Sequence, residues 1–205
     1  MSETWQHRTP LVVLDEFLVA QEWAGLLRFT FQNRDRFTGS GILDAGGNDR
    51  TDDGYRCSQV LYDLDYCHDM FADRIMTFLP HILTRLRMPL FPVSHFEIQL
   101  TATNDGQFFR QHKDDDSDTV RSRVLTFVYY FYREPKSFSG GALRLYDTNL
   151  DQQGNVTPGD SQTIHPMQNQ IVFFPSDCLH EVLPVGCPSR EFAHSRFTVN
   201  GWVHR

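Results

Sequence analysis

The second half of the chain consists of short apolar runs separated by turn residues, and this pattern constrains the fold more than any other feature. The runs are rich in β-branched and aromatic residues, and they are His95–Thr101, Val124–Phe131, Ala142–Tyr146, Ile171–Phe174, Leu179–Val185 and Phe197–Val203. Turn residues and the polar segment 147–161 lie between them. Short strands at this spacing predict a β-sandwich, a jelly roll or a barrel, so we expect a mainly β fold.

The first part of the chain has a different pattern of apolar residues. Apolar residues recur at helical spacing over residues 21–31 and 67–87, and Pro80 is predicted to kink or divide the second helix. We expect both helices to pack outside the β-rich half. Residues 39–54 are rich in glycine and aspartate, which predicts a mobile loop or a hairpin with a long tip.

The length and net charge of the chain limit the number of domains and the kinds of partner that we expect. A chain of 205 residues without internal repeats is long enough for one domain, predicted over residues 1–205, with helical and loop support in 1–91 and the β core from about 92. The net charge of −7 and the lack of a basic stripe argue against nucleic-acid binding. No apolar run reaches the roughly 18–20 residues of a membrane helix. The four cysteines and the N-terminus, which does not look like an export signal, favour a cytoplasmic protein. The oligomeric state stays open.

One set of residues has the chemistry of a metal site. His112 and Asp114 are two residues apart, so on a strand both side chains point to the same face. A second histidine, His180, begins another predicted strand. Two histidines and one carboxylate form the facial triad of non-haem Fe(II) oxygenases. Because the chain has nine histidines, this spacing alone is only a hypothesis.

Two other patterns compete with the triad. His95 and Glu97 have the same spacing, but they are predicted to lie in the middle of a strand as satisfied polar groups. The acidic run 114–118 starts like an EF-hand loop. The positions that require glycine and glutamate are Thr119 and Leu125, which excludes that calcium site.

Five blocks in one order resemble the Fe(II)- and 2-oxoglutarate-dependent dioxygenases, particularly the prolyl 4-hydroxylase branch that includes the hypoxia-factor prolyl hydroxylases. They are His112–Asp114, Arg123–Tyr132, Ser139–Asp147, Phe173–Val185 and Arg196–Trp202. The resemblance implies a double-stranded β-helix (jelly-roll) core with the N-terminal helices outside it. It also implies that His112, Asp114 and His180 are the catalytic iron ligands.

The same resemblance assigns residues to the co-substrate. Arg196 would pair with the far carboxylate of 2-oxoglutarate, which a guanidinium can bind with two hydrogen bonds. Arg190 competes for this role, but the residues that follow Arg196 match the family block, Thr198 among them. The hydroxyl group of Tyr130 would reach the same carboxylate, and Leu143 would pack against the co-substrate. Gly140-Gly141 is interpreted as a turn.

The sequence departs from the family pattern at two positions. Many members have a tyrosine where this chain has Ala102, which lies between Thr101 and Thr103. A threonine often stands where this chain has Asn200. The first departure concerns the edge of the co-substrate or substrate pocket rather than the iron site.

The resemblance implies a hydroxylase that uses Fe(II), 2-oxoglutarate and O2, with ascorbate as a protective reductant, and releases succinate and CO2. We expect it to act on a prolyl residue of a protein or peptide, gripped by segments 39–54 and 147–161. One alternative is a hydroxylase or desaturase of a free amino acid or another small molecule. Another is a non-catalytic, cupin-type metal-binding module, which would not need Arg196 and Tyr130.

Overall fold

The computed structural model describes residues 5–40, 42–43, 49–50, 54–150 and 156–205. Most of segment 39–54 therefore lies outside the described residues, as does part of segment 147–161. The helices are α1 (Ala20–Gln32) and α2 (Tyr66–Leu86), and short 3₁₀ turns cover Arg34–Arg36 and Phe192–His194. The strands, in chain order, are β1 (Trp5–His7), β2 (Val12–Leu14), β3 (Thr38–Gly39), β4 (Ile42–Leu43), β5 (Asp49–Arg50), β6 (Gln59–Leu61), β7 (His95–Thr103), β8 (Phe109–His112), β9 (Arg123–Phe131), β10 (Ser139–Gly140), β11 (Leu143–Leu150), β12 (Val156–Ile164), β13 (Gln170–Pro175), β14 (His180–Val182), β15 (Val185–Gly186) and β16 (Arg196–His204).

Most strands belong to two antiparallel sheets. The large sheet has the order β2-β13-β9-β16-β7-β6-β3. The small sheet has the order β1-β11-β14-β8, with β12 on the other edge of β11. Strands that are distant in the sequence are neighbours in both sheets, which is the strand crossing of a jelly roll. The prediction of a mainly β fold is confirmed.

Both helices pack against one face of the large sheet. Phe71 and Ile75 of α2 share a buried core with Tyr129 and Phe131 of β9. The rings of Phe71 and Tyr129 lie 5.2 Å apart, edge to face, which is a favourable aromatic geometry. Helix α2 runs without interruption through Pro80, so the proline does not divide it.

The opposite face of the large sheet lines an internal cavity. Successive side chains of a strand point to opposite faces, so β16 contributes to both. Phe197 and Val199 enter the core beneath the helices. Arg196, Thr198 and Asn200 line the cavity. This alternation sets which residues can reach a ligand between the two sheets.

The polar segment 147–161 differs from the expectation of a connecting turn. In its described part, β11 continues to Leu150 and β12 starts at Val156. The two strands pair through backbone hydrogen bonds, which do not require apolar side chains. The segment therefore lacks the apolar pattern by which strands are recognised. No helix in the described ranges has the length and apolarity needed to cross a membrane.

Candidate active site

The structure brings the three predicted metal ligands together. His112 ends β8 and His180 begins β14, and these two residues are direct partners in the small sheet. Asp114 follows two residues after His112. The Nε2 atoms of His112 and His180 lie 3.6 Å and 3.5 Å from the two carboxylate oxygens of Asp114. All three ligand atoms lie within 4.8 Å of one another, a spacing that a single metal ion can bridge.

Backbone carbonyl groups orient both imidazole rings. Nδ1 of His112 lies 2.7 Å from the carbonyl oxygen of Arg110, and Nδ1 of His180 lies 2.9 Å from that of Cys178. Each Nδ1–H therefore donates to a carbonyl oxygen, and each Nε2 lone pair faces Asp114. Metal-binding histidines in proteins are commonly fixed in this way.

The carboxylate of Asp114 is buried and held in place. Thr126 donates its hydroxyl hydrogen to Oδ2 at 2.8 Å, and the Asp114 backbone N–H donates to the carbonyl oxygen of Ser176. Burial raises the pKa of Asp114, but the neighbouring His180 and His112 outweigh it and bring the pKa below its usual value. Asp114 is therefore ionised at neutral pH and suited to bind a cation.

Arg123 supports Asp114 from behind. Its Nε and Nη2 atoms donate to the two carboxylate oxygens of Glu97 at 2.9 Å and 2.6 Å, and its guanidinium lies 3.8 Å from the ring of Trp202. Its Nη1 donates to the carbonyl oxygen of Asp114 at 3.1 Å. Glu97 also lies 3.2 Å from Nε2 of His204. The prediction of satisfied polar groups agrees with the contacts of Glu97, whereas the expected mid-strand position is wrong, because His95 is the first residue of β7.

The surroundings of His112 favour its neutral form. Burial lowers the pKa of His112 to about 3, and the adjacent His180 contributes in the same direction. The ring of Phe109 stacks on the imidazole at 3.5 Å, and the guanidinium of Arg56 lies 4.8 Å from the ring of Phe109. A neutral imidazole can donate its lone pair to a metal ion.

A buried cation without a counter-charge lies in the same cavity. Arg196 is 2% exposed, and its Nε and Nη2 atoms have no hydrogen-bond partner among the described residues. The hydroxyl oxygens of Tyr130 and Thr198 are buried and equally unpartnered within that part of the chain. The Arg196 guanidinium lies 5.1 Å from the ring of Tyr130. An unpaired buried charge is costly, so this group of donors fits a bound carboxylate such as that of 2-oxoglutarate.

The other predicted co-substrate residues are distributed as follows. Leu143 is buried and lines the cavity. Arg190 is exposed and pairs with Asp105 at 3.2 Å, so it does not reach the cavity. Gly141, interpreted as part of a turn, has a positive φ of +65°, and a Cβ atom there would lie 2.5 Å from Cδ of Arg196. The missing side chain of Gly141 thus makes room for Arg196.

The structure changes the interpretation of one departure from the family pattern. Ala102 faces the core beneath the helices, whereas Thr101 and Thr103 line the cavity, so residue 102 does not form the edge of the pocket as expected. Sequence reasoning had assigned no role to several cavity residues, which are Arg56, Gln99, Thr126, Asn200 and Trp202. Gln99 on β7 can be found from the two-residue alternation that runs back from Thr103. Asn200 and Trp202 on β16 can be found from the same alternation starting at Arg196.

The family follows from the chain's match to known proteins. Residues 98–204 match the 2OG-Fe(II) oxygenase superfamily, and this range includes the three candidate ligands and Arg196. The chain belongs to this superfamily. It is 51% identical over 153 residues to a Synechocystis sp. protein named an uncharacterized PKHD-type hydroxylase. That match covers 74% of the chain and 50% of the relative, so the chain spans about half the length of this curated relative.

Solved structures share the fold. A prolyl-4-hydroxylase from Pseudomonas putida is 20% identical, with a TM-score of 0.65 over 96% of this chain and 94% of that one. A Trichoplax adhaerens prolyl hydroxylase, solved with a peptide fragment of hypoxia inducible factor, is 16% identical, with a TM-score of 0.64 over 96% and 84%. SnoN, a non-heme alpha ketoglutarate dependent epimerase from nogalamycin biosynthesis, is 12% identical, with a TM-score of 0.61 over 96% and 78%. At these identities the likeness establishes the jelly-roll fold alone.

Proposed function

We propose that this protein is an Fe(II)- and 2-oxoglutarate-dependent dioxygenase that hydroxylates an unactivated C–H bond and releases succinate and CO2. One observation carries the proposal: the oriented cluster of His112, Asp114 and His180 shares a cavity with the unpaired guanidinium of Arg196. A cupin-type binding module would not need that buried cation.

Two groups of side chains would bind two different ligands. His112, Asp114 and His180 would hold iron on one face, which leaves its other positions open. Arg196, Tyr130 and Thr198 would bind the far carboxylate of 2-oxoglutarate. Iron, 2-oxoglutarate and O2 together supply the oxidising chemistry that hydroxylation requires. The protein contributes position and charge, since Asp114 offsets part of the metal charge and Arg196 offsets the carboxylate.

Apolar side chains form part of the cavity wall. Leu143, Val128, Val182 and Trp202 line it together with the metal-ligand candidates and Arg196. Apolar surroundings lower the local dielectric constant, which would strengthen the ion pairs formed inside.

We further propose a prolyl residue of a protein or peptide as the substrate. The support is the fold shared with proteins named as prolyl hydroxylases. Hydroxylation or desaturation of a free amino acid or another small molecule is the second candidate, because an epimerase from nogalamycin biosynthesis has the same fold. Segments 39–54 and 147–161 are proposed to contact the substrate, and ascorbate to keep the iron reduced.

A turnover assay tests the proposal. Purified protein is supplied with iron(II), 2-oxoglutarate and ascorbate, and with a panel of proline-containing peptides and free amino acids. We expect at least one peptide to stimulate succinate release and to gain one oxygen atom by mass spectrometry. Stimulation by free amino acids alone would favour the second candidate, and no succinate under any condition would contradict the proposal.

Two aspartate variants control this assay. Asp114→Ala is expected to abolish succinate release and to weaken iron binding, because it removes one of three ligands. Asp118→Ala changes an exposed aspartate that pairs only with Arg121 at the surface, so turnover is expected to remain. Full turnover in Asp114→Ala would refute the ligand assignment.

A further inference from the structure

The cavity contains polar side chains that neither the iron site nor the carboxylate site uses. Gln99 and Thr101 of β7 line it, each 5% exposed, and so does Asn200 of β16. Gln99 and Asn200 are direct register partners on adjacent strands. Two carboxamide groups therefore stand side by side on one wall.

The hydrogen bonds of this wall are incomplete. Nδ2 of Asn200 donates to Oγ1 of Thr101 at 2.8 Å. Within the described residues, the carboxamide of Gln99 and Oδ1 of Asn200 have no hydrogen-bond partner. A carboxamide offers two N–H donors and a carbonyl acceptor. A ligand that pairs with both kinds of group on this wall donates as well as accepts.

The register places this wall in the same cavity as the metal-ligand candidates. Along β16, Asn200 lies two residues from Trp202, and Trp202 pairs with Thr126, which holds Asp114. Two residues of a strand span about 7 Å. A group bound to Gln99 and Asn200 would therefore share the cavity with the metal-ligand candidates, which suits a substrate rather than a remote effector.

We propose that Gln99 and Asn200 form a subsite that binds an amide group of the substrate, beside the carbon that is hydroxylated. An amide both donates and accepts, so its carbonyl oxygen can accept from the Gln99 carboxamide while its N–H donates to the carbonyl oxygen of Asn200. A carboxylate only accepts and would leave the carboxamide oxygens opposite a negative charge. This inference rests on the proposed function and assigns its substrate to the amide-bearing class, which includes peptides and excludes free amino acids that have no side-chain amide.

The charges in the cavity agree with an amide. Among the described lining residues the cations, apart from histidine, are Arg196 and Arg56. Arg196 is assigned to 2-oxoglutarate. Arg56 packs on Phe109 of β8, whereas the carboxamides lie on β7 and β16. A substrate that carries its own carboxylate would depend on Arg56, which gives a competing outcome that can be measured.

Binding without turnover tests the subsite directly. The protein is loaded with zinc(II) and N-oxalylglycine, an inert analogue of 2-oxoglutarate, and titrated calorimetrically with N-acetyl amino acid amides and the matching N-acetyl amino acids. We expect at least one amide, N-acetyl-L-prolinamide first among them, to bind about tenfold more tightly than its carboxylate partner. Equal or reversed affinities, or no binding by any amide, would overturn the inference.

Variants of Gln99 test whether this residue causes the preference for amides. Gln99→Leu is expected to remove the amide preference and to leave N-oxalylglycine affinity unchanged. Gln59→Leu is the matched control, because Gln59 is an exposed glutamine on the same sheet and does not line the cavity, and it is expected to retain the preference. If Gln99→Leu does not fold, Gln99→Met keeps a similar side-chain length and carries no charge, and it removes the N–H donors and the carbonyl acceptor, with the same expected loss.

Three outcomes would contradict the subsite. A tenfold loss of N-oxalylglycine affinity in Gln99→Leu would put the carboxamides in the co-substrate pocket. Loss of probe binding in Arg56→Ala, with no change in Gln99→Leu, would indicate a carboxylate-bearing substrate. An amide preference that survives in Gln99→Leu and Gln99→Met would mean that other residues bind the amide. Because none of these readouts needs succinate, the subsite and the proposed enzymatic reaction can fail independently.

Discussion

Two kinds of buried polar residue meet in this cavity. The metal-ligand candidates already have partners, since carbonyl groups hold His112 and His180 and Thr126 holds Asp114. Arg196 has no such partner for Nε and Nη2 within the described chain. Preset partners keep the ligands in place before the metal binds, whereas Arg196 depends on the incoming carboxylate for its compensation.

Replacing Arg196 tests whether this residue serves the incoming carboxylate and not the metal site. In Arg196→Ala we expect the KM for 2-oxoglutarate to rise at least tenfold, because a buried charged hydrogen-bond pair is lost. Iron(II) affinity is expected to stay unchanged, since Arg196 is not a metal-ligand candidate. Arg190→Ala is the control and should leave the KM unchanged. The opposite result for the two arginines would show that the wrong one has been chosen.

A methyl group at residue 141 should have a similar effect. In Gly141→Ala the added Cβ would lie 2.5 Å from Cδ of Arg196, at a φ that disfavours side chains. We expect the KM for 2-oxoglutarate to rise severalfold while the protein stays folded by circular dichroism. Gly25→Ala, whose Cβ would meet only Tyr66 Oη at an ordinary 3.5 Å, should behave like the wild type. An unchanged KM in Gly141→Ala would show that Arg196 does not need this space.

At the scale of the elements, strand pairing brings distant residues together. Arg123 begins β9 and Glu97 lies on β7, and β16 lies between these two strands. The ion pair between Arg123 and Glu97 therefore crosses β16. Because Arg123 also binds the carbonyl oxygen of Asp114, it positions the metal carboxylate without touching the metal.

Loss of that support should weaken metal binding. In Arg123→Gln we expect iron(II) affinity to fall about tenfold, as is typical when a group that orients a metal ligand is removed. The absorption spectrum of the cobalt(II)-loaded variant should also shift, because the position of Asp114 changes. Arg121→Gln removes an exposed arginine that pairs with Asp118 and should change neither quantity. Wild-type cobalt spectra in Arg123→Gln would assign it a purely structural role.

The sequence predicts which segments form helices and strands better than it predicts which strands pair. The motif spacing suggested the metal-ligand candidates, but the resemblance of the short sequence blocks to a known family was needed to assign them and Arg196. Gln99 was not predicted, because its role depends on the register between β7 and β16, more than 90 residues apart in the chain. The Arg123–Glu97 pair was missed for the same reason. The paired polar strands of segment 147–161 were missed because they lack an apolar alternation.

At the scale of the whole molecule, Asn169 links the start of α1 to the β core. Oδ1 of Asn169 accepts hydrogen bonds from the backbone N–H of Leu18 at 2.9 Å and from the hydroxyl of Tyr129 at 2.8 Å. Its Nδ2 donates to the carbonyl oxygen of Leu18 at 2.8 Å. Helix α1 starts two residues later and shares the apolar core of the large sheet.

Breaking this junction should lower the stability of the protein. In Asn169→Ala we expect the free energy of unfolding in urea to fall by about 3 kcal/mol, because three hydrogen bonds are lost and buried groups are left unpaired. Gln170→Ala breaks one exposed hydrogen bond to Asp15 and should cost less than about 1 kcal/mol. Equal losses in the two variants would contradict a special role for Asn169.

The shared core also makes a prediction about cooperativity. Helical and strand residues contribute to one apolar cluster, so we expect a single domain over residues 1–205 and one calorimetric unfolding transition. Circular dichroism of the helices and tryptophan fluorescence should give the same midpoint. Two separate transitions would divide the chain into two units.

The last strand limits how this enzyme fold can evolve. Arg196, Thr198, Asn200 and Trp202 reach the cavity because they alternate along β16, over about 20 Å of unbroken extended backbone. An insertion or deletion of one residue inside β16 would reverse the direction of every later side chain at once. New specificities can therefore arise here by exchanging side chains, while changes of length are confined to the turn that precedes Arg196.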